Sequence, residues 1–399
     1  MDKISYAKTV YGTEEIDAVV KCLGESTQMG KYSRQFEKNI AKLFNKKHCL
    51  YVNSGSSALY LGIEAFNFKK GSEVITPALT FSTTVGCLLK NELVPAFVDV
   101  KPYTYCIDEN QIEEMISEKT VAILAPNLMG NICNWKEIKK IALKHNLKVI
   151  EDSADTLGAT FDKNISTGSF TDMSITSFYG SHIINCAGNG GALTINDDEV
   201  MRKAKLLRSW GRSSSLFDEK SEEIDNRFNI SLDGIDYDAK FVFESVGYNL
   251  EGNELGAAFG LAQLNKLKNN IKIRQENFKR QINFFNSIDN FFINPEENKD
   301  TSTAWLAFPI LIKENSFFTR KDFQIFLEKR NIQTRVVFTG NVLRQPMCKN
   351  IKKIVNKNGY PNADRVMKYG VLLPLHHGMT DSMFARLHST ILEFLNNFS

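Results

Sequence analysis

The chain has 399 residues, 43% of them apolar and 24% charged, with a formal net charge of +3. That length exceeds one small core and suits a large domain joined to a smaller one, with the balance of a globular protein. Basic residues are interspersed with acids, as in "KEIKKIALKH", which is the pattern of a solvated helix face and argues against a nucleic-acid partner. No apolar run approaches the roughly 20 residues that span a bilayer. The opening "MDKISYAKTVYGTEEIDAVV" has acids and no apolar signal-peptide core, so no membrane association is expected. The seven cysteines, at positions 22, 49, 87, 106, 133, 186 and 348, are far apart and form no C-x-x-C pair. Disulfide framework, zinc site and iron–sulfur cluster are therefore unsupported, and a reduced, cytoplasmic compartment is expected.

In chain order, "GTEEIDAVVKCLGE" and "YSRQFEKNIAKLF" read as two opening helices. "CLYVNSGSSALYLGIEAF" reads as a strand, a small polar turn and a helix. "SEVITP", "VPAFVDV", "VAILAP" and "LKVIED" are short β-rich runs separated by helical stretches such as "NWKEIKKIALKHN". Strands alternating with helices predict an α/β class with a mostly parallel sheet covered on both faces. Two closely spaced strands are expected around the loop Gly188–Gly191. From about Asn253 one long amphipathic stretch follows, "NELGAAFGLAQLNKLKNNIKIRQENFKRQINFFNSI", placed to link two domains. Beyond it "TAWLAFPILIK" and "IQTRVVF" alternate with helices in an α+β pattern. The expected division is a large domain over 1–270 and a small C-terminal domain over 271–399.

Four features carry chemistry. "NSGSSAL", Asn53 to Leu59, is a strand-to-helix turn whose amides and hydroxyls can converge on a phosphate; it also fits an ordinary tight turn with a capping serine. "VIEDSAD" puts Asp152 at a strand's C-terminal edge, where open α/β sheets build their sites. A carboxylate there can hold a protonated ring nitrogen, or simply cap the next helix. Phe81, in "TPALTFSTTV", can cover a flat cofactor or fill the core. In "TSFYGSH", Ser177 and His182 flank the entrance to a glycine loop, and no lysine lies between Lys163 and Lys203. A lone histidine of this kind is more often structural than catalytic.

The order of these motifs, followed by "VGYNLEGNELGAAFGLAQL", resembles the DegT/DnrJ/EryC1/StrS family of pyridoxal-phosphate-dependent sugar aminotransferases, with the aspartate aminotransferase (fold type I) architecture. The resemblance runs from "YGTEEIDAVVKCL" to "YPNADRVMKYGVLLPLHHGMT". It implies a seven-stranded, mostly parallel sheet in the large domain and a homodimer with shared active sites. It also implies that Gly55, Ser56 and Ser177 hold the cofactor phosphate, Phe81 stacks on the pyridine, and Asp152 pairs with its nitrogen. Asn249 would reach the phosphate in the neighbouring subunit. Asp155 stands where aminotransferases of the group tend to have glutamine, and the loop reads "AGNGG" where a "GEGG"-like run is usual.

At His182 most members of the family carry the lysine that tethers the cofactor covalently. An imidazole has no primary amine, yet moves protons near neutral pH. The exchange resembles the family's 3-dehydratase branch, which makes 3,6-dideoxysugars from nucleotide-linked 4-keto-6-deoxyhexoses; "FTGNVLRQP" is similar to that branch as well. One form of the branch holds an iron–sulfur cluster on cysteines after a "WGR" motif. Here that stretch reads "SWGRSSSLFDEK", which points to the cluster-free form, whose members act on GDP-4-keto-6-deoxy-D-mannose. The resemblance implies pyridoxal 5'-phosphate and pyridoxamine 5'-phosphate, held non-covalently, with L-glutamate as amino donor leaving as 2-oxoglutarate. His182 would be the proton-moving residue, and Arg212 is a candidate for substrate or donor anions. Two other readings stay open: an aminotransferase that recruits another lysine, and a non-catalytic cofactor-binding protein. Which nucleotide the sugar carries is not written in these motifs.

Overall fold

The computed structural model describes residues 2–162, 164–217 and 223–397. Its centre is a seven-stranded sheet in the order His48–Val52, Gly191–Ile195, Met173–Ser177, Lys148–Ser153, Thr120–Pro126, Glu73–Pro77, Val94–Val98. Gly191–Ile195 runs antiparallel to both of its neighbours, and the remaining pairings are parallel. Six strands therefore end on one edge. The strands Glu73–Pro77 and Val94–Val98 are buried at every position, as expected where helices cover both faces and side chains of either parity meet a core. One face packs Leu50, Leu61, Ile63, Leu88 and Leu124, and the other packs Ile75, Ile123, Trp135, Ile138 and Val149.

Each of the six like-directed strands hands its chain to a turn at the same edge. Ser54 caps the helix Gly55–Phe66, its hydroxyl accepting the Ser57 amide at 3.0 Å, which satisfies one of the orphan first-turn donors. Two glycines permit the tight approach of backbone here. A Cβ on Gly55 would stand 2.7 Å from the Ser177 Cβ, and one on Gly191 would stand 2.2 Å from the Ser54 carbonyl carbon. Below the edge, Asn127 donates to Glu151 and Ser153, both at 2.8 Å, and accepts the Trp135 indole N–H at 3.0 Å. That buried network fixes the ends of adjacent strands relative to one another.

The long stretch from Asn253 forms a single helix, Glu254–Asn286, capped by the Asn253 side chain. It crosses residue 270 without a break. Beyond it, Phe292–Ile293, Phe308–Ile312 and Gly370–Leu373 make a three-stranded antiparallel sheet. "IQTRVVF" contributes to that sheet only by an isolated bridge, Arg335 to Leu372. The turns at 329–331 and 338–340 bend the segment away before a ladder can extend. The core of this part joins Phe308, Ile310, Phe323 and Phe394 to Ile4, Ala78 and Leu79 from the first part of the chain. We propose that the two sheets mark two domains, with the boundary inside the helix near residue 270.

Candidate active site

The strand ends open into a cavity of about 370 Å³. Gly55, Ser56, Phe81, Asp152, Asp155, Ser177 and His182 all line it. Residues separated by more than a hundred positions meet because the parallel strands carry them to one edge.

Asp152 is buried at 5% exposure, with Thr84 Oγ1 donating to Oδ2 at 2.8 Å and the Ala154 amide donating to Oδ1 at 3.2 Å. Burial raises its pKa above the ordinary carboxylate value, opposed by those two donors. Among the described residues no lysine or arginine lines the cavity around it, so an ionised carboxylate here would favour a positively charged ligand group. Asp155 is also buried and accepts the Met129 amide at 2.8 Å. Met129 and Gly130 both have positive φ, at 58° and 99°. The bond therefore ties a strained turn to the cavity floor. Burial, with the charge of Asp152 adding to it, pushes Asp155 up to about 7.

His182 lies in the loop after Met173–Ser177, with Nδ1 3.2 Å from the Ser177 carbonyl. A carbonyl only accepts, so this contact is a hydrogen bond when Nδ1 carries the proton. Burial lowers the imidazole to about 4, with the carbonyl contacts opposing, so the ring is neutral near pH 7. Phe81 caps the helix Ser82–Lys90 backbone-first and leaves its ring 48% exposed, edge-on to Phe338 at 5.9 Å. An apolar ring left that open at a cavity rim is available to a flat partner.

The fit of these residues to pyridoxal phosphate can be judged from this geometry. The Gly55 and Ser56 amides occupy a helix's first turn, where intrahelical acceptors are lacking, and Ser56, Thr83 and Ser177 add hydroxyls to the lining. An unpaired buried carboxylate suits a protonated pyridine nitrogen, and an open aromatic ring suits its face. Among the described residues no lysine lines the cavity, so the lining offers no amine for a covalent link.

Two further sequence candidates stand elsewhere. Asn249 is exposed and absent from the lining, pairing through its backbone with Ser209. Arg212 stacks on Trp210, its guanidinium carbon 4.8 Å from the ring centroid, with Phe241 and Phe243 slightly farther. Ser213–Ser215 follow it in a short 3-10 turn, and residues 218–220 of "SWGRSSSLFDEK" lie outside the described residues. Among the described residues no group of three or more His, Cys, Asp and Glu could hold a metal, and no helix is long and apolar enough to cross a membrane. Sequence reasoning missed Tyr6, Asn189 and Leu306, which line the site from dispersed segments, and Thr83 and Thr84 in the first turn of the helix Ser82–Lys90, where Thr83 lines the cavity and Thr84 holds Asp152. Phe338 was reachable through "FTGNVLRQP", although nothing in that motif announces a cavity wall.

The fold is that of the pyridoxal-phosphate-dependent aminotransferases. The structure of Escherichia coli GDP-4-keto-6-deoxy-D-mannose-3-dehydratase with bound hydrated PLP matches with a TM-score of 0.87 at 29% identity, over 98% of this chain and 99% of that one. More particularly, the chain belongs to the DegT/DnrJ/EryC1/StrS aminotransferase family, whose model matches residues 10–392. The lipopolysaccharide biosynthesis protein RfbH of Salmonella typhimurium is 34% identical over 96% of this chain and 90% of its own. The dTDP-4-dehydro-2,6-dideoxy-D-glucose 3-dehydratase of Saccharopolyspora spinosa is 33% identical over 92% and 80%. Aminating relatives match too, among them GDP-perosamine synthase of Caulobacter vibrioides, 28% identical over 99% of both chains.

Proposed function

We propose that the protein is a nucleotide-sugar 3-dehydratase: it removes the C3 hydroxyl of a nucleotide-linked 4-keto-6-deoxy sugar, with glutamate as amino donor, in the making of a 3,6-dideoxysugar. The observation that carries this reading is a histidine, and among the described residues no lysine, at the cavity wall. Pyridoxal phosphate, bound here, supplies the amino-group carrier and the electron sink. Gly55, Ser56 and Ser177 hold its phosphate, Phe81 covers its ring, and Asp152 keeps its ring nitrogen protonated. Asp155 holds the Met129 turn that shapes the floor. His182 takes up a proton at Nε2 and, once charged, can return it to the departing hydroxyl.

The overall balance is simple. Glutamate and the sugar give 2-oxoglutarate, ammonia and the 3-deoxy sugar, so glutamate is the reductant and the lost hydroxyl oxygen is accounted for in the 2-oxoglutarate. Neither an iron–sulfur cluster nor a reductase is needed for that balance. A homodimer completes the reading. Asn249 is exposed and outside the lining of its own cavity, and large apolar side chains of the segment 224–246, including Ile224, Phe228, Ile235, Phe243 and Val246, are exposed too, which suits coverage by a second copy. The presence of aminating relatives makes amination the alternative, but a cavity without lysine favours dehydration.

The test is product analysis. Purified protein, pyridoxal phosphate and glutamate should convert one of a panel of GDP-, CDP-, UDP- or dTDP-linked 4-keto-6-deoxy sugars to a 3-deoxy product with release of ammonia. An amino sugar as the stable product, with no ammonia, would reject the proposal.

A further inference from the structure

The strand Lys148–Ser153 carries two carboxylates in succession, and the two-residue period of a strand sends them to opposite faces of the sheet. Asp152 opens into the cavity, while Glu151 is fully buried behind it and takes no part in the proposed chemistry. The partners of Glu151 are all donors. Its Oε1 accepts the Asn127 side-chain amide at 2.8 Å and the Ser153 hydroxyl at 2.6 Å, and its Oε2 accepts the Ser174 hydroxyl at 2.5 Å. Ser174 is the residue in register with it on the neighbouring strand Met173–Ser177. A carboxylate met by donors on both oxygens is satisfied as an anion.

The lysine that answers this charge, Lys46, is reached only through two intermediates. Lys46 Nζ donates to the Thr171 carbonyl, and Thr171 Oγ1 stands 2.8 Å from Ser174 Oγ. Lys46 is itself buried, which lowers its pKa to about 8, with Glu151 and Asp172 opposing. The cation is thus remote, shared with Asp172 and lost toward alkaline pH, so much of the Glu151 charge stays uncompensated. That charge reaches Asp152. Burial is the largest influence raising the Asp152 carboxyl, and Glu151 raises it further. The other titratable groups around Asp152 are Asp155, His182, Tyr6 and Tyr179 in the cavity lining and Cys87 on the helix Ser82–Lys90. With His182 lowered to about 4, none of them is a cation at neutral pH.

We propose that Glu151 is a positioning residue for the cofactor's ring proton, a second carboxylate across the sheet that holds the field at Asp152 negative. A proton shared between Asp152 and a ring nitrogen is then kept to higher pH than Asp152 alone would allow. Glu151 can act in this way only if Asp152 pairs with the ring nitrogen, as the proposed function has it.

The experiment reads the ring-nitrogen NMR signal of isotopically labelled pyridoxal phosphate bound to wild type, Glu151→Gln, Ser174→Ala and Asp152→Asn, titrated with pH. Urea denaturation of the same proteins records what each change costs the fold. Glu151→Gln keeps the shape and removes the charge, so the pH at which the ring loses its proton should fall by roughly 1 unit. Ser174→Ala removes a hydrogen bond from the same network and leaves the charge, so it should lower stability without lowering that pH. If Glu151→Gln does not fold, Glu151→Thr removes the same charge with a side chain suited to a strand and should give the same fall. An unchanged titration in the folded charge-free variant would overturn the assignment. An equal fall in Ser174→Ala would do so too, because it would trace the effect to the packing of the strand and not to a charge. Asp152→Asn distinguishes the two failures. A ring proton retained there removes the pairing with Asp152 itself, whereas one lost there and untouched in Glu151→Gln removes only the role of Glu151.

Discussion

Asp155→Asn should stabilise the cofactor-free protein, and only toward high pH. The native carboxyl is buried and held up at about 7, against an ordinary value of 3.8. Between those values the folded state binds a proton that the unfolded state has released, so stability falls as pH rises through the window. Below it the carboxyl is neutral in both states, and above it the full cost persists. At about 1.4 kcal/mol per pH unit, ionising this group inside the fold costs about 4 kcal/mol. Asparagine is nearly isosteric and its Oδ1 can still accept the Met129 amide, so the turn at 128–130 keeps its tie. The assay is urea denaturation of both proteins, stripped of cofactor, at pH 5 and pH 8. The stability gap in favour of Asp155→Asn should widen by about 2.5 kcal/mol between the two. A gap that stays constant would show that Asp155 is not a strained buried acid, and that the Asp152–Asp155 pair does not set the charge of this cavity.

Other expectations concern the proton-moving residues. His182→Asn should still bind cofactor, seen by its absorption, while dehydration falls roughly 10²–10⁴-fold, the usual cost of losing a general base; wild-type turnover would make His182 structural. His182→Lys should restore a borohydride-reducible covalent link between chain and cofactor, whereas the wild-type chain should gain no pyridoxyl mass on the same treatment. Asp152→Asn should keep the fold and lose most activity, because an amide cannot hold a ring proton as a carboxylate does; near-normal turnover would point to a different acid. Chelator-treated protein purified in air should turn over with glutamate alone, and a requirement for iron and a reductase would place the chain in the other form of the branch.

Much of this was local enough to be legible from residues. The alternation of β-rich runs with helical stretches follows from side-chain period and gave the α/β class and the central sheet. Motif order marked "NSGSSAL", Phe81, Asp152 and "TSFYGSH" as one constellation, because each sits at a strand's C-terminal end, and parallel strands bring such ends to one edge. The exchange of lysine for His182 is a statement about atoms, readable without any fold. What the sequence could not supply was everything that depends on a partner distant along the chain. The Nδ1 contact of His182 is with a carbonyl five residues back that only the loop's path brings within reach. The raised pKa of Asp155 comes from burial, with the charge of Asp152 adding to it, and is opposed by the amide of Met129, 26 residues away. Tyr6 and Phe338 reach the cavity from distant parts of the chain. Composition and spacing decide which groups are available; desolvation and proximity, which arise only when the chain closes on itself, decide what charge they carry and what they can touch.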